Sequence, residues 1–169
     1  MADEVIDYRD LVLLRSSAPD GTMFQNRNAS HASIVFAAIF SRAEHEVLLL
    51  TGSLNDEVYG KDEVVQAVLK FLRRHANTRL RVLHEEPIAE SNHLLDALRD
   101  SDFMDERVQM RKVPDKEKQE YGFHFTVADS RHLRYEENRK SFEAVVQFGG
   151  DANAVTLSEN FEYLWDASA

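Results

Sequence analysis

Cysteine is absent from the sequence, which excludes disulfide bonds and metal sites built on thiolate ligands. No apolar run approaches the roughly 20 residues that a membrane-spanning helix needs. The first residues, Met1 to Val5, lack the basic and apolar regions of a signal peptide. Together these absences predict a cytoplasmic protein that does not enter a membrane.

Positive charge is also scarce. Lysine and arginine number 20 against 30 acidic residues, a formal net charge of −10. This balance opposes non-specific attraction to a phosphate backbone, which depends on clustered cations that displace counterions. It leaves room for a local basic groove but argues against a nuclease that acts alone.

Several motifs of common cofactor chemistry are missing as well. The sequence contains no P-loop, no Rossmann glycine fingerprint, no His-Glu-x-x-His and no nucleophile elbow. These absences exclude most of the common nucleotide-binding and zinc sites, and no cofactor is predicted.

The 169 residues fit one domain, since domains usually run to roughly 100–200 residues. No repeat, low-complexity tract or linker divides the chain, so residues 1–169 are predicted to form a single domain. Residues 1–29 are weakly patterned, and within them the apolar run Leu11 to Leu14 predicts a short edge strand. The polar stretch Asn26 to Ser30 predicts a turn.

A helix is predicted next, capped by Ser30 or Ser33 and apolar almost all round from Ile34 to Phe40. A helix of this kind is buried on more than one side, in a core or in a dimer interface. Alternating strands and helices follow, which predicts βαβ units and a mainly parallel sheet. The strands are Val47–Thr51, Leu80–Leu83 and Val108–Val113, and the helices are Lys61–His75 and a segment that holds Leu94, Leu95 and Leu98.

After a charged loop from Pro114 to Glu120 the pattern changes. Phe123–Ala128 and Ala144–Phe148 are predicted strands with no helix between them, joined through the charged stretch Arg131–Ser141 as an antiparallel hairpin. A last helix carries Phe161 and Trp165 on one face. The fold class predicted is α/β, with a mixed, mainly parallel sheet flanked by helices.

The order of elements resembles one half of a phospholipase D-type enzyme over roughly Ser30 to Ser168. Ala43–Thr51 is similar to the opening helix and strand of that family, and Glu143–Asp151 with the following helix is similar to its closing strand and helix. The resemblance implies a phospholipase D-like fold. It also implies a catalytic motif, His-x-Lys-x-x-x-x-Asp, whose histidine attacks phosphorus and whose lysine binds phosphoryl oxygens.

That motif is degenerate here. If Asp129 is placed on its aspartate, Gly122 stands where the nucleophile belongs and His124 where the lysine belongs. If His124 is placed on the nucleophile, Thr126 stands at the lysine and the aspartate spacing is too short. The family's Gly-Ser turn is replaced by Glu136-Glu137-Asn138, whose carboxylates would repel a phosphate.

Two vestigial site residues and one basic stretch remain as candidates. His124 is either a surviving site histidine or a half-buried structural one, and Asp129 either orients a basic partner or begins a turn. The only locally basic stretch comprises Arg131, His132, Arg134, Arg139 and Lys140. If its members face one cleft they could hold a phosphorylated ligand, with Arg131, His132 and Arg134 as the candidate ligand-binding residues; the alternative is a hairpin neutralised by Glu136 and Glu137. His124 and His132 without a fixed carboxylate partner do not predict a metal site.

Three functional hypotheses follow. The first is a catalytically degenerate phospholipase D-like domain that serves as a binding or assembly module in a bacterial multi-component system, with a two-fold homodimer implied by the resemblance and a protein partner in a complex. The second is a divergent phosphodiesterase or nuclease that acts as a homodimer through His124, with Arg131 or Arg134 replacing the lysine. The third is a non-catalytic nucleic-acid-binding subunit, which the net charge disfavours.

Overall fold

The computed structural model describes residues 7–104 and 106–169, in which one seven-stranded sheet carries helices on both faces. The mixed α/β architecture predicted from the sequence is confirmed. The strand order across the sheet is β1-β7-β6-β5-β2-β3-β4. The strands are β1 Met23–Asn26, β2 Glu46–Thr51, β3 Arg79–His84, β4 Val108–Lys112, β5 His124–Ala128, β6 His132–Glu136 and β7 Ala144–Phe148.

Helices cover the two faces unequally. The described helices are α1 Tyr8–Ser17, α2 Ala29–Arg42, α3 Asp56–Tyr59, α4 Asp62–Arg74, α5 His93–Asp100, α6 Asp115–Lys118 and α7 Asp151–Ala167. Residues of α1 to α5 pack into one hydrophobic cluster with one face of the sheet. The other face packs against α7 through Phe161 and Trp165. Every central strand is therefore covered on both sides, which explains the continuous apolar run of β2.

The parallel part of the sheet is smaller than predicted. Strands β2, β3 and β4 pair in parallel, joined by helices as the sequence indicates. The remaining four pairings, β1 with β7, β7 with β6, β6 with β5 and β5 with β2, are antiparallel. Connection length explains two of these pairings, β5 with β6 and β6 with β7, because both connections are too short for the crossover that a parallel neighbour requires.

The predicted hairpin of Phe123–Ala128 with Ala144–Phe148 is wrong. The charged stretch between these strands itself contains β6, which lies between β5 and β7 and pairs with both. The predicted loop from Pro114 to Glu120 also contains the single-turn helix α6. The structure thus places a charged segment in the interior of the sheet.

Two predictions for the N-terminal segment are corrected. Leu11 to Leu14 lies in helix α1 and not in an edge strand, because Asp7 caps the helix and Val12 and Ser16, one turn apart, form its buried side. Helix α2 is capped by Asn28 and not by Ser30 or Ser33, since the Asn28 side chain accepts from the His31 backbone N–H at 2.9 Å.

Helix α2 is a core helix of the monomer. It packs against α1 on one side, against α4 on the other, and against the sheet below. Phe36 and Phe40 are almost fully buried there. The core interpretation of its all-round apolar sequence therefore accounts for the helix without a partner chain.

Candidate functional site

The topology brings the ends of four strands together on one side of the sheet. This edge runs across the strand ends and is not an outermost strand. Parallel strands β2 and β3 end at this edge, β6 also ends here, and β5 begins here because it runs antiparallel to β2. The edge thus collects Gly52 after β2, Glu85 after β3, His124 at the start of β5 and Glu136 at the end of β6. The carboxyl ends of strands at such a change of direction are a common place for a ligand site.

His124 and Glu85 form a close pair at this edge. His124 Nε2 lies 2.7 Å from Glu85 Oε1, and Glu85 is 2% exposed. Burial alone would raise the pKa of Glu85, but the hydrogen bond from His124, the charge of that ring when it is protonated and the nearby Arg139 charge lower it below its usual value. Glu85 is therefore ionised, and the His124 Nε2–H donates to it.

Arg134 and Glu136 form a second buried pair beside the first. Arg134 Nη1 donates to Glu136 Oε2 at 2.9 Å, and its Nε donates to Asn26 Oδ1 at 3.0 Å. Its Nη2 donates to the Phe142 carbonyl at 3.2 Å, and the guanidinium lies 5.0 Å from the centre of the Phe36 ring. Each of the three guanidinium nitrogens thus donates to a partner within the chain.

Burial dominates the behaviour of Glu136. Loss of hydration raises the pKa of its carboxyl above the usual value, although the Arg134 charge opposes the shift. The second carboxylate oxygen, Oε1, lies 3.9 Å from His124 Nδ1. The histidine ring therefore stands between two carboxylates, one in hydrogen-bond contact and one just beyond it.

Arg139 ties the loop after β6 to the segment before β5. Its backbone N–H donates to the Gly122 carbonyl at 2.9 Å, and its guanidinium donates to the carbonyls of Lys118, at 3.0 Å, and Tyr121. The same guanidinium pairs with Glu85 Oε2 at 3.4 Å. A second arginine of the site is therefore neutralised from inside the chain.

His124, Arg134, Glu136 and Arg139 line a cleft of about 180 Å³. Its polar lining includes His124, Glu136 and two neutralised arginines, and an exposed lysine, Lys140, lies at the rim. The remaining walls combine aromatic and small polar side chains, among them Phe36, Tyr59, Phe142, Thr51, Ser53, Asn55 and Ser141.

The structure separates the residues that the sequence grouped as candidates. His124, Arg134 and Glu136 line the cleft. Asp129 lies at the far end of β5, roughly 16 Å from His124 at about 3.3 Å per residue. Its carboxylate accepts backbone N–H groups from Glu44, His45 and Glu46 at 2.8, 2.9 and 2.9 Å.

Arg131 and His132 lie at the same far end as Asp129. Arg131 is exposed, with its Nε 3.9 Å from Asp151. His132 is buried and its Nδ1 accepts the Gly149 backbone N–H at 3.0 Å, while burial and the nearby Arg131 charge lower its pKa. The three basic candidates therefore do not face one cleft, and Arg134 alone reaches it.

Two residues of the site were missed at the sequence level. Glu85 directly follows the buried strand β3, and a polar residue just after a parallel strand is the signal that would have identified it. Asn26 lay in a segment predicted as a turn, although it ends strand β1. Nothing in its local sequence indicates that its amide faces Arg134.

In residues 7–104 and 106–169 no three His, Asp or Glu side chains are grouped so that they could hold a metal ion. No helix of this described part is long and apolar enough to span a membrane.

Solved structures similar to this chain establish the fold. Nuc from Salmonella typhimurium, a phospholipase D family member, superimposes with a TM-score of 0.62 at 11% identity, over 89% of this chain and 97% of its own. NucT from Helicobacter pylori superimposes with a TM-score of 0.56 at 9% identity, over 89% of this chain and 98% of its own. The phospholipase D-like fold predicted from the sequence is therefore confirmed.

A third similar structure has a different description. TrmBL2, described as an archaeal chromatin protein with a novel mode of DNA binding, matches with a TM-score of 0.61 at 15% identity. The match covers 94% of this chain, which spans 59% of TrmBL2. The same fold therefore occurs in a protein that is described as binding DNA.

A search of curated proteins finds no match to this chain. A family model matches residues 28–169, which comprise the sheet strands from β2 onward and helices α2 to α7. That family is described as a domain of unknown function, DUF7931, and the chain belongs to it.

Proposed function

We propose that this chain is a catalytically inert phospholipase D-like domain that serves as a binding or assembly module in a bacterial multi-component system. The observation that supports the proposal is the ion pair between Arg134 and Glu136 inside the cleft. A phosphodiester enzyme of this fold needs free cations there, whereas this cleft supplies its own anions.

The engagement of the cleft's two arginines by partners within the chain opposes phosphate binding. Arg134 uses its donors on Glu136, Asn26 and a backbone carbonyl, and Arg139 is paired with Glu85. A phosphate that entered would meet the buried Glu136 carboxylate at short range, where repulsion between like charges is strongest.

The positions of the family's motif support the same proposal. In the register that places Asp129 on the motif's aspartate, the nucleophile position is Gly122, which has no side chain and is exposed. The position of the lysine is His124, whose Nε2 is engaged by Glu85. Nucleophile and phosphate-binding cation are both replaced.

One observation favours an alternative, a divergent phosphodiesterase that acts through His124. A histidine held by a buried carboxylate at 2.7 Å has the geometry of a base with its orienting partner. In a homodimer two such pairs would meet across a two-fold axis. Glu136 in the cleft counts against this alternative, because it stands beside the face that a phosphorus atom would approach.

Hydrolysis assays decide between the two functions. We expect no release of nitrophenol from bis(4-nitrophenyl) phosphate, and no cleavage of labelled single- or double-stranded DNA, above a buffer blank. Turnover that is lost in His124→Ala and retained in Arg131→Ala would overturn the proposal in favour of the enzyme. The same DNA probes test binding by gel shift, and a salt-dependent shift would favour the nucleic-acid-binding subunit instead.

We also propose a two-fold homodimer as the working assembly, as the resemblance implies and as closed two-fold pairing commonly provides. Sedimentation velocity at micromolar concentration is expected to give twice the 19.4 kDa of the chain. A single boundary at the mass of one chain, unchanged up to about 100 μM, would contradict the homodimer.

A further inference from the structure

The cleft presents two hydrogen-bond acceptors side by side. Glu136 Oε1 and His124 Nδ1 are 3.9 Å apart, too far for a direct hydrogen bond but close enough for one donor group to contact both. Each belongs to a residue that lines the cleft. Their chemical character therefore indicates what the cleft can hold.

The acceptor character of His124 Nδ1 follows from its other nitrogen. Glu85 is ionised and accepts only, so Nε2 carries a proton; in the neutral form of the imidazole this is the only N–H, and Nδ1 then carries a lone pair. In that form the carboxylate and the imidazole offer the same polarity to the cleft. A phosphate, which also offers acceptors, does not complement this pair.

Arg134 neutralises Glu136 through one oxygen, Oε2, and Oε1 is the oxygen that it does not contact. The Glu136 side chain is 10% exposed. Arg134 in turn shares its charge with the neutral oxygens of Asn26 and Phe142. A cation beside Oε1 would supply what burial has removed.

The walls suit a small ligand. The cleft volume is about 180 Å³, below the roughly 300–1,000 Å³ of pockets for larger ligands. The rings of Phe36 and Tyr59, with centroids 4.7 Å apart, form one wall, and Ser53 lies in another. Aromatic faces add a favourable environment for a positive charge.

We infer that the cleft binds a small primary ammonium group, which donates to Glu136 Oε1 and His124 Nδ1. This inference rests on the proposed function, because a cleft that handled phosphodiesters would instead need donors and cations at these positions. The ammonium occupies the gap between the two acceptors. The rest of the ligand points toward the rim, where Lys140 is placed to meet an acidic end.

The experiment is an NMR titration of the isotope-labelled protein with ethanolamine, with inorganic phosphate as the opposing probe. We expect saturable shifts of cleft residues with ethanolamine, with a Kd of about 1–10 mM for so small a ligand. We expect no saturable shift of these residues with phosphate. Glycine and phosphoethanolamine in the same titration measure the contribution of an acidic end at Lys140.

Two neighbouring glutamates provide a matched pair of variants. Glu136→Gln keeps the size of the side chain and removes its charge, and should weaken ethanolamine binding at least about 10-fold. Glu137→Gln changes the next residue, which is exposed and lies outside the cleft, and should leave the Kd unchanged. If Glu136→Gln does not fold, Ser53→Leu fills the cleft without altering its charges and should abolish the shifts.

The outcomes separate this inference from the proposed function. Absence of saturable ethanolamine binding below about 100 mM, equal binding in Glu136→Gln and wild type, or saturable phosphate binding in the cleft each overturns the inference. Phosphodiester hydrolysis overturns the proposed function itself. A protein that neither hydrolyses phosphodiesters nor binds ethanolamine leaves the proposed function standing and refutes the ammonium site.

Discussion

At the scale of single residues, Arg134 shows how a charge is kept in the interior of this fold. The side chain is 4% exposed and sits between a carboxylate, an amide and an aromatic ring. Buried ions of this kind persist because each donor has a partner, and removal of one member leaves the others without compensation.

Replacement of Arg134 should therefore reduce stability strongly. Arg134→Ala leaves Glu136 as an uncompensated buried charge and should lower the free energy of unfolding by about 3 kcal/mol or more. Arg131→Ala, at an exposed side chain of the same short segment, should change it by less than about 0.5 kcal/mol. Urea unfolding followed by circular dichroism measures both, and equal effects would contradict the buried network.

Glu85 makes stability depend on acid pH. Its pKa in the folded protein lies below the 4.5 of the free side chain, so its contribution is complete above about pH 4.5 and is lost as the pH falls through the folded value. Glu85→Gln should lower the unfolding free energy at pH 7 by about 2 kcal/mol. The difference from wild type should shrink as the pH is lowered from about 4.5.

The neighbouring carboxylate supplies the control for this pH effect. Glu86 is exposed and follows Glu85 directly. Glu86→Gln should differ little from wild type at every pH from 7 to 3. A Glu85→Gln difference that stays constant or grows below pH 4.5 would refute the ion pair with His124.

At the scale of elements, strand β6 marks the limit of what the sequence could reveal. His132, Leu133, Arg134, Tyr135 and Glu136 alternate in polarity, which is the pattern of a strand. The charged residues nevertheless indicated a solvated loop, whereas in the structure they are all buried on the cleft side of the sheet. Their burial depends on partners far away in the chain, which no local pattern contains.

Local pattern was sufficient where burial is apolar. The strands β2, β3 and β4 and the helices α4 and α5 follow from apolar runs and from helical spacing and were predicted, whereas the single-turn helix α3 was not. His124 was predicted as the residue to examine, and Glu136 as an anion in the place of a phosphate-binding turn. Glu85 was missed because its role depends on the parallel pairing of β3 with β2, which brings its strand end beside His124.

The turn between β7 and α7 depends on one glycine. Gly149 has a φ of +83°, and a side chain there would collide with the backbone carbonyl of Pro19. Gly149→Ala should therefore lower the unfolding free energy by about 1–3 kcal/mol. Gly122→Ala, where no heavy atom lies within 4 Å of the added Cβ, should change it by less than about 0.5 kcal/mol.

Thermal unfolding of both glycine variants gives the comparison. A large loss of stability in Gly122→Ala would mean that Gly122 is packed and not open. A neutral Gly149→Ala would mean that the turn adopts another conformation.

At the scale of the whole molecule, the mixed sheet explains where the cleft lies. Antiparallel β5 beside parallel β2 and β3 gathers residues from four strand ends at one edge. The fold therefore provides a site whatever residues occupy it. In this chain the occupants are two buried carboxylates, a histidine between them and two internally paired arginines, in a protein with a net charge of −10.

The most direct test of the central claim is a search for the covalent intermediate that phosphodiester chemistry on this fold would form. The protein is incubated with bis(4-nitrophenyl) phosphate, denatured in urea at alkaline pH and measured by intact-mass spectrometry. We predict the unmodified chain mass at every time point, because Glu85 and Glu136 flank His124. Attack by His124 would expel one nitrophenolate and leave a 4-nitrophenyl-phosphoryl adduct; such an adduct on His124, absent from His124→Ala, would contradict this prediction and identify the protein as an active phosphodiester-transfer enzyme.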